Sequence, residues 1–367
     1  MKKSAFVLSM TGFLGGGEIF LIKLASLLHD QVRLIVISPA VPSLREALVQ
    51  ADAEFVELGA SGGMALRWQF LRWLWRQRSS IREGGVPIIL NGRGAAYLAP
   101  LVRMSVGVAP IIIAHTELSM RSLDPKEVLY GIAARFASHV ITVGEFVATQ
   151  HKQRWAGLSV ESIRNWIVLG SHGTSRRTQN VTDGEILYAA VLSRLAPRKG
   201  VEDVIAVCAE DDGIVLSIYG DGPMREQLVG VHGDSTRLHF NGHVANVSEC
   251  LQKYSILISG SYSESSPLAL AEGIYAGLLC VVSDIPAHRE LLGESYPDEL
   301  FFPPGDRAAL KRALAAARVR LSSADGDDAR TVVAAAMSRL RERNSPELAR
   351  QRYLAVLCRE CGEGRAA

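Results

Sequence analysis

Short runs of Val, Ile and Leu recur along the chain, and segments of helical periodicity lie between them. A strand that is apolar at nearly every position is stable only when both of its faces are covered. Strand, helix, strand in this alternation therefore predicts a doubly wound parallel sheet. In the first half the runs are Ala5–Met10, Val32–Ser38, Glu54–Leu58, Pro87–Asn91, Pro110–His115 and His139–Val143, with helical patterns at Gly17–Leu28 and Pro125–Phe136. In the second half they are Ile186–Ser193, Val215–Tyr219, Arg237–Asn241, Ser255–Ser259, Leu279–Ser283 and Leu300–Phe302. Between the halves, Ser171–Gly184 (SHGTSRRTQNVTDG) is polar and without period, as an interdomain linker would be.

The length of 367 residues exceeds one ordinary core. The expected architecture is α/β, with two Rossmann-like domains at 1–170 and 185–344 and a linker at 171–184. A C-terminal helix within 345–367, opened by Ser345 and Pro346, is expected to pack back on the first domain. Net charge is +2, so bulk electrostatics call for no nucleic-acid partner. The five cysteines lack metal-type spacing, and Cys358-x-x-Cys361 has no second pair, so reduced thiols in a cytoplasmic protein are the expectation. MKKSAFVLSMTGFLGGG has some marks of a signal peptide, but it lacks a small-residue cleavage pattern and runs directly into an amphipathic helix. It reads as a first strand. No apolar stretch reaches the roughly 18 to 20 residues of a spanning helix.

Three strand-to-helix turns have the makings of phosphate sites. In Phe13–Glu18 (FLGGGE), successive glycines let the amides of Gly16 and Gly17 approach an anion at a helix N-terminus. In Ser193–Gly200 (SRLAPRKG), Arg194 and Lys199 flank a turn and are expected to converge above the strand's carboxyl end, with Arg198 solvated. Tyr219–Leu228 begins with the glycine turn at Gly220. None carries the third glycine of the dinucleotide fingerprint, which disfavours a dehydrogenase. SESSPLALAE, residues 263 to 272, adds two carboxylates. Ser266 reads as a helix cap and Pro267 as the first helical residue. Glu264 then lies before the helix and Glu272 inside it. The two do not share a face, so they are expected to hold two parts of one elongated ligand rather than to form an acid/base dyad.

In their order, GGGE, IIIAH, HVITVGEF, SIRNW, SRLAPRKG, YGDGP and SYSESSPLALAEGIYAGLLCVVSD resemble the GT-B retaining nucleotide-sugar glycosyltransferases of glycosyl transferases group 1 (family 4), marked by Glu, seven residues, Glu. The resemblance runs from about residue 12 to 305. It implies two domains facing a central cleft and a nucleoside-diphosphate sugar as donor, with no cofactor and no metal required. It also implies roles: Glu272 on the ribose hydroxyls, Glu264 and His115 toward the donor sugar, and Arg194 and Lys199 on the diphosphate. Backbone amides at Ser266, Pro267 and Leu268 and at Gly16 and Gly17 would line phosphates and sugar, with Gly220 at the nucleotide. Taken by itself, His115 at a strand end also suits a purely structural role. Several positions depart from the family pattern: Ser265 and Ser266 after the first Glu, Ser259-Gly260 before the loop, Gly144 in place of a serine, Asn165-Trp166-Ile167 in place of an Asn-Gly turn, and Ile285–His288 in place of a glycine pair. They leave the donor sugar open.

Two other readings stay open, a GT-B nucleotide-sugar epimerase and a non-catalytic sugar-nucleotide-binding subunit. The D-x-D at Asp325–Asp327 reads as a solvated loop. Met64–Glu83 combines three tryptophans with five arginines at helical spacing. Leu66, Phe70, Trp73 and Leu74 share one face, while Trp68, Leu71 and Trp75 widen the apolar arc. The segment is either a sheet-covering helix with snorkelling arginines or a helix that meets an anionic membrane or a lipid-linked acceptor. The expected partners are accordingly a glycan or lipid-linked acceptor of cell-surface polysaccharide synthesis and the inner face of the membrane.

Overall fold

The computed structural model describes residues 2–59, 63–118, 124–167, 185–244, 247–323 and 327–360. Ser171–Gly184, Asp325 and Cys361, all singled out in the sequence, lie outside the described residues. The chain divides into two compact units, Met1–Asn165 with Pro346–Ala367, and Trp166–Ser345.

In the first unit, β1 (Lys3–Ser9), β2 (Val32–Pro39), β3 (Glu54–Leu58), β4 (Ile88–Asn91), β5 (Ile111–Ala114), β6 (His139–Thr142) and β7 (Val160–Ser162) form a parallel sheet in the order β3-β2-β1-β4-β5-β6-β7. Central β1 is buried from Ala5 to Ser9, as its unbroken apolar run requires. Edge strand β3 keeps Glu54 and Glu57 exposed, and such charges discourage further pairing. The helices are α1 (Gly16–Leu28), α2 (Pro42–Gln50), α3 (Gly63–Arg76), α4 (Arg78–Gly84), α5 (Gly92–Ala96), α6 (Ala99–Val106), α7 (Pro125–Ala134) and α8 (Glu145–Arg154). Two features differ from the sequence reading. Strand β7 was not expected, because Val-Glu-Ser offers no apolar run; pairing with β6 (Val140 opposite Val160) holds it. The Met64–Glu83 pattern is two helices, broken at Gln77.

In the second unit, β8 (Leu187–Leu192), β9 (Ile214–Tyr219), β10 (Leu238–Gly242), β11 (Ile256–Ser259), β12 (Leu279–Ser283) and β13 (Phe301–Phe302) pair in parallel in the order β10-β9-β8-β11-β12-β13. Its helices are α9 (Val201–Ala209), α10 (Arg225–His232), α11 (Val247–Leu251), α12 (Leu268–Tyr275), α13 (Pro286–Leu292), α14 (Arg307–Ser322) and α15 (Asp327–Arg343). The last helix, α16 (Pro346–Glu360), belongs to the first unit. There Tyr353 is buried near Phe20 of α1, and Arg350 pairs with Asp30. The two doubly wound parallel sheets expected from the strand rhythm are both present.

Strand order also locates the ligand sites. An open α/β sheet binds ligands beyond the carboxyl ends of its strands, where the order reverses and neighbouring loops diverge. In the first unit the reversal separates β1 from β4, and in the second it separates β8 from β11. The loops leaving these four strands begin at Met10, Gly92, Ser193 and Gly260. They contain or border most of the candidate residues.

Candidate functional site

In the second unit, β8 ends at Leu192 and the chain turns through a short 3-10 segment, Pro197–Lys199, into α9. Gly200 has φ 56°, and a Cβ there would lie 2.1 Å from the Gly260 carbonyl oxygen. The loop after β8 and the loop after β11 therefore touch backbone to backbone. This contact accounts for Gly260 at a position where the resembling family often has a serine. It also brings Lys199 to Glu264: the ammonium donates to the Glu264 carboxylate, and both side chains are mostly buried. A pair at this depth is screened less than a surface pair, which is worth about 1 kcal/mol or less. Arg194 does not join Lys199. It is exposed and makes no ion pair among the described residues. Arg198, expected in solvent, is exposed but donates to the Ser263 carbonyl at 3.4 Å.

Behind Glu264 lies a hydrogen-bond chain that sequence reasoning missed. The Ser261 hydroxyl donates to Glu264 at 2.8 Å. The Ser283 hydroxyl donates to the Ser261 carbonyl at 2.6 Å. His288, fully buried on α13, places Nδ1 2.8 Å from the Ser283 carbonyl and Nε2 3.4 Å from Ser259 Oγ. A carbonyl only accepts, so Nδ1 carries the proton and Nε2 accepts. Burial lowers the His288 pKa, which keeps the ring neutral. The Glu264 loop is thus tied to β12 and α13. The only trace of this in the sequence is small polar residues at two buried strand ends.

The helix after Glu264 starts later than expected. It spans Leu268–Tyr275, with Pro267 rather than Ser266 in the cap position and no side-chain cap. The Leu268 amide donates to the Ser266 carbonyl at 2.9 Å, and Pro267 has no amide proton. Pro267 therefore offers no amide donor, and the Leu268 amide is engaged by the Ser266 carbonyl. The Ser266 amide precedes the helix, and the Ala269 amide in its first turn has no intrahelical acceptor. Glu272 is half-buried on the same helix, while its neighbour Gly273 packs against Leu257 of β11. At the Gly220 turn, a Cβ would lie 1.9 Å from the Ser193 carbonyl oxygen, and the Gly220 amide donates to Gly242 at 2.7 Å. That glycine is needed for close packing, and its amide is not open to a ligand.

In the first unit the glycine turn is held by Glu18, which is buried. Its carboxylate accepts from Ser9 Oγ at 2.7 Å and from the Gly15 amide at 3.1 Å. The next amides, Gly16 and Gly17, open α1 and have no intrahelical acceptor. Asn91, at the end of β4, donates through Nδ2 to the Gly17 carbonyl at 3.2 Å. Its Oδ1 therefore accepts from His115 Nε2 at 2.7 Å. The His115 ring meets Phe20 edge-on at 4.8 Å, and burial lowers its pKa to about 4. His115 is neutral at physiological pH, with Nε2 donating and Nδ1 left as an acceptor for a hydroxyl. Among the described residues, no three His, Cys, Asp or Glu side chains group as a metal site.

Residues 174–318 match the family model described as Glycosyl transferases group 1. Over 136 residues the chain is 27% identical to the UDP-N-acetylglucosamine–peptide N-acetylglucosaminyltransferase GtfA subunit of Streptococcus agalactiae, which covers 35% of this chain. The match spans only about a quarter (26%) of that relative's length. Among solved structures, HepE of Anabaena in complex with UDP and glucose superposes with a TM-score of 0.77 at 18% identity, over 97% of this chain and 100% of that one. Sucrose-phosphate synthase of Thermosynechococcus elongatus gives 0.74 at 15% identity, over 98% and 99%. TarM of S. aureus gives 0.75 at 10% identity, over 97% and 99%. These likenesses are of fold, and the fold is GT-B.

Proposed function

We propose that this chain is a glycosyltransferase that moves a sugar from a nucleoside diphosphate, UDP in the first instance, to an acceptor hydroxyl with retention at the anomeric carbon. The observation that carries the reading is the Lys199–Glu264 pair at the strand-order reversal of the second unit, beside the amino end of α12. It lies inside the region that matches the group 1 glycosyltransferase model, and the HepE neighbour was solved with UDP and glucose.

In this reading Glu272 holds the ribose hydroxyls. Arg194 and Lys199 neutralise the diphosphate, helped by amides at Ser266 and the start of α12. As the bond from the anomeric carbon to the phosphate oxygen breaks, negative charge grows on the diphosphate and these groups stabilise it. The acceptor oxygen forms the new bond, and its proton leaves with the diphosphate or to water. Glu264, anchored by Ser261, and neutral His115 position hydroxyls of the donor sugar. No carboxylate is placed as a nucleophile, and no covalent intermediate is assigned. The acceptor is a glycan or lipid-linked intermediate of cell-surface polysaccharide synthesis, met at the cytoplasmic face of the membrane.

Incubation with a panel of UDP-sugars tests the reading. UDP released only when an acceptor is present supports transfer. Interconversion of the sugars without an acceptor would replace transfer by epimerisation. Thermal stabilisation by UDP-sugars without any turnover would leave a binding subunit.

A further inference from the structure

The sheet of the first unit carries α3, α6 and α7 against the same hydrophobic core. Leu66, Phe70 and Leu74 of α3, Val102 of α6 and Tyr130 of α7 all belong to it. Because their inner stripes share that core, their outer stripes share one outer face. Surface helices normally turn mainly polar residues to water, and these turn large apolar ones outward as well. On α3, Met64, Trp68 and Trp75 recur at helical spacing opposite the buried stripe, with Trp68 66% and Trp75 56% exposed. On α6, Met104 is 76% exposed, and Leu101 is exposed beside it. On α7, Leu129 and Ile132 are exposed one turn apart. Exposed apolar side chains on adjoining helices form a patch of the kind that marks an interaction surface.

The exposed charges carried by α3, α6 and α7 themselves have one sign. Neither α3 nor α6 contains an aspartate or glutamate. The only carboxylate of α7, Glu127, is buried between Arg93 and Arg154. Arg72, Arg76 and Arg103 are exposed, and the Arg78 guanidinium lies 3.9 Å above the Trp75 ring. The outer helices of the second unit differ: Arg320 of α14 pairs with Glu299 and Asp328, and Arg330 of α15 with Asp327. A second copy docking symmetrically on the α3–α6–α7 face would bring arginine against arginine. Tryptophan and methionine ringed by unpaired arginine instead match a layer that is apolar within and anionic at its surface.

We propose that the outer face of α3, α6 and α7 docks on an anionic lipid surface, the helices lying flat with Trp68, Trp75 and Met104 inserted among the headgroups. This extends the membrane contact expected of the Met64–Glu83 segment to a three-helix surface. It deepens the acceptor side of the transfer reading, but it is measured without donor or acceptor, so failure of either leaves the other standing. The test is co-sedimentation of the full chain with vesicles of equimolar phosphatidylglycerol and phosphatidylcholine, and with phosphatidylcholine alone. The chain is expected to sediment with the first and not the second, and to be released by added salt. Trp68→Ser/Trp75→Ser/Met104→Ser is expected to lower partitioning at least about tenfold with an unchanged melting curve. Should that variant fold poorly, Arg72→Glu/Arg76→Glu is expected to abolish the preference for phosphatidylglycerol. The proposal is overturned if partitioning ignores these substitutions, or if neither vesicle binds. A dimer in sedimentation velocity that the triple variant dissociates would overturn it as well.

Discussion

In the second unit the reversal of strand order holds an ion pair, Lys199 with Glu264, backed by serine hydroxyls and a buried histidine. In the first unit it holds a neutral chain, from His115 to Asn91 to the Gly17 carbonyl. The sheets are wound alike, so topology sets where each crevice lies and a few side chains set what it can bind. A crevice with a cation suits a diphosphate, and one whose carboxylate, Glu18, is already held by Ser9 and the Gly15 amide beside neutral donors and acceptors in fixed directions suits hydroxyls.

The largest expected effect separates the two crevices by charge. Lys199→Met should lower transfer at least about 100-fold through kcat, as loss of a donor to a developing anion does. His115→Gln should cost about tenfold, the worth of one neutral hydrogen bond. Equal losses in steady-state kinetics would break the distinction.

Acid should act through the buried neutral histidines of both units, His115 and His151 in the first and His288 in the second. His151 is fully buried, donating to the Val147 carbonyl and accepting from Tyr130 Oη. Burial lowers its pKa from 6.5 to about 4. Between those values the unfolded chain takes up a proton that the folded chain refuses. Stability contributed by the neutral ring is therefore full above 6.5 and falls as the pH drops toward 4. The loss is about 3 kcal/mol for this residue. Urea melts across the window should show it, and His151→Gln should flatten the slope.

A smaller contrast concerns the glycines. A Cβ at Gly260 would lie 2.7 Å from the Gly200 carbonyl oxygen, whereas one at Gly16 meets nothing within 4 Å. Gly260→Ala should cost about 2 kcal/mol by overpacking. Gly16→Ala should stay within about 0.5 kcal/mol. Comparable melting temperatures for the two variants would show that the loops after β8 and β11 are not locked together.

Much of this arrangement is legible in the residues because strand burial is local: a run such as Ile111–Ala114 states its own environment. Lys199, Glu264 and His115 could be placed because each sits next to such a run. The chain from Ser261 through Ser283 to His288 could not, since it joins three segments whose serines look like ordinary turn residues. Gln77 ends α3 inside a periodic pattern that carries no break signal. The helix start was misplaced by one residue because Ser-Pro favours a cap, yet the Ser266 carbonyl takes the Leu268 amide instead. For the serine chain and the helix start, a contact distant in sequence or a competing backbone bond overrode a local preference.

The account rests on Glu264 and Glu272 doing separate work, and calorimetric titration of Glu264→Gln and Glu272→Gln with UDP and a UDP-sugar tests this most directly. Glu272→Gln should weaken both ligands together, by about tenfold or more. Glu264→Gln should keep or raise the affinity for UDP, because it releases Lys199, while removing the added affinity contributed by the sugar. Equal weakening of UDP in both variants, or of neither ligand in either, would contradict it.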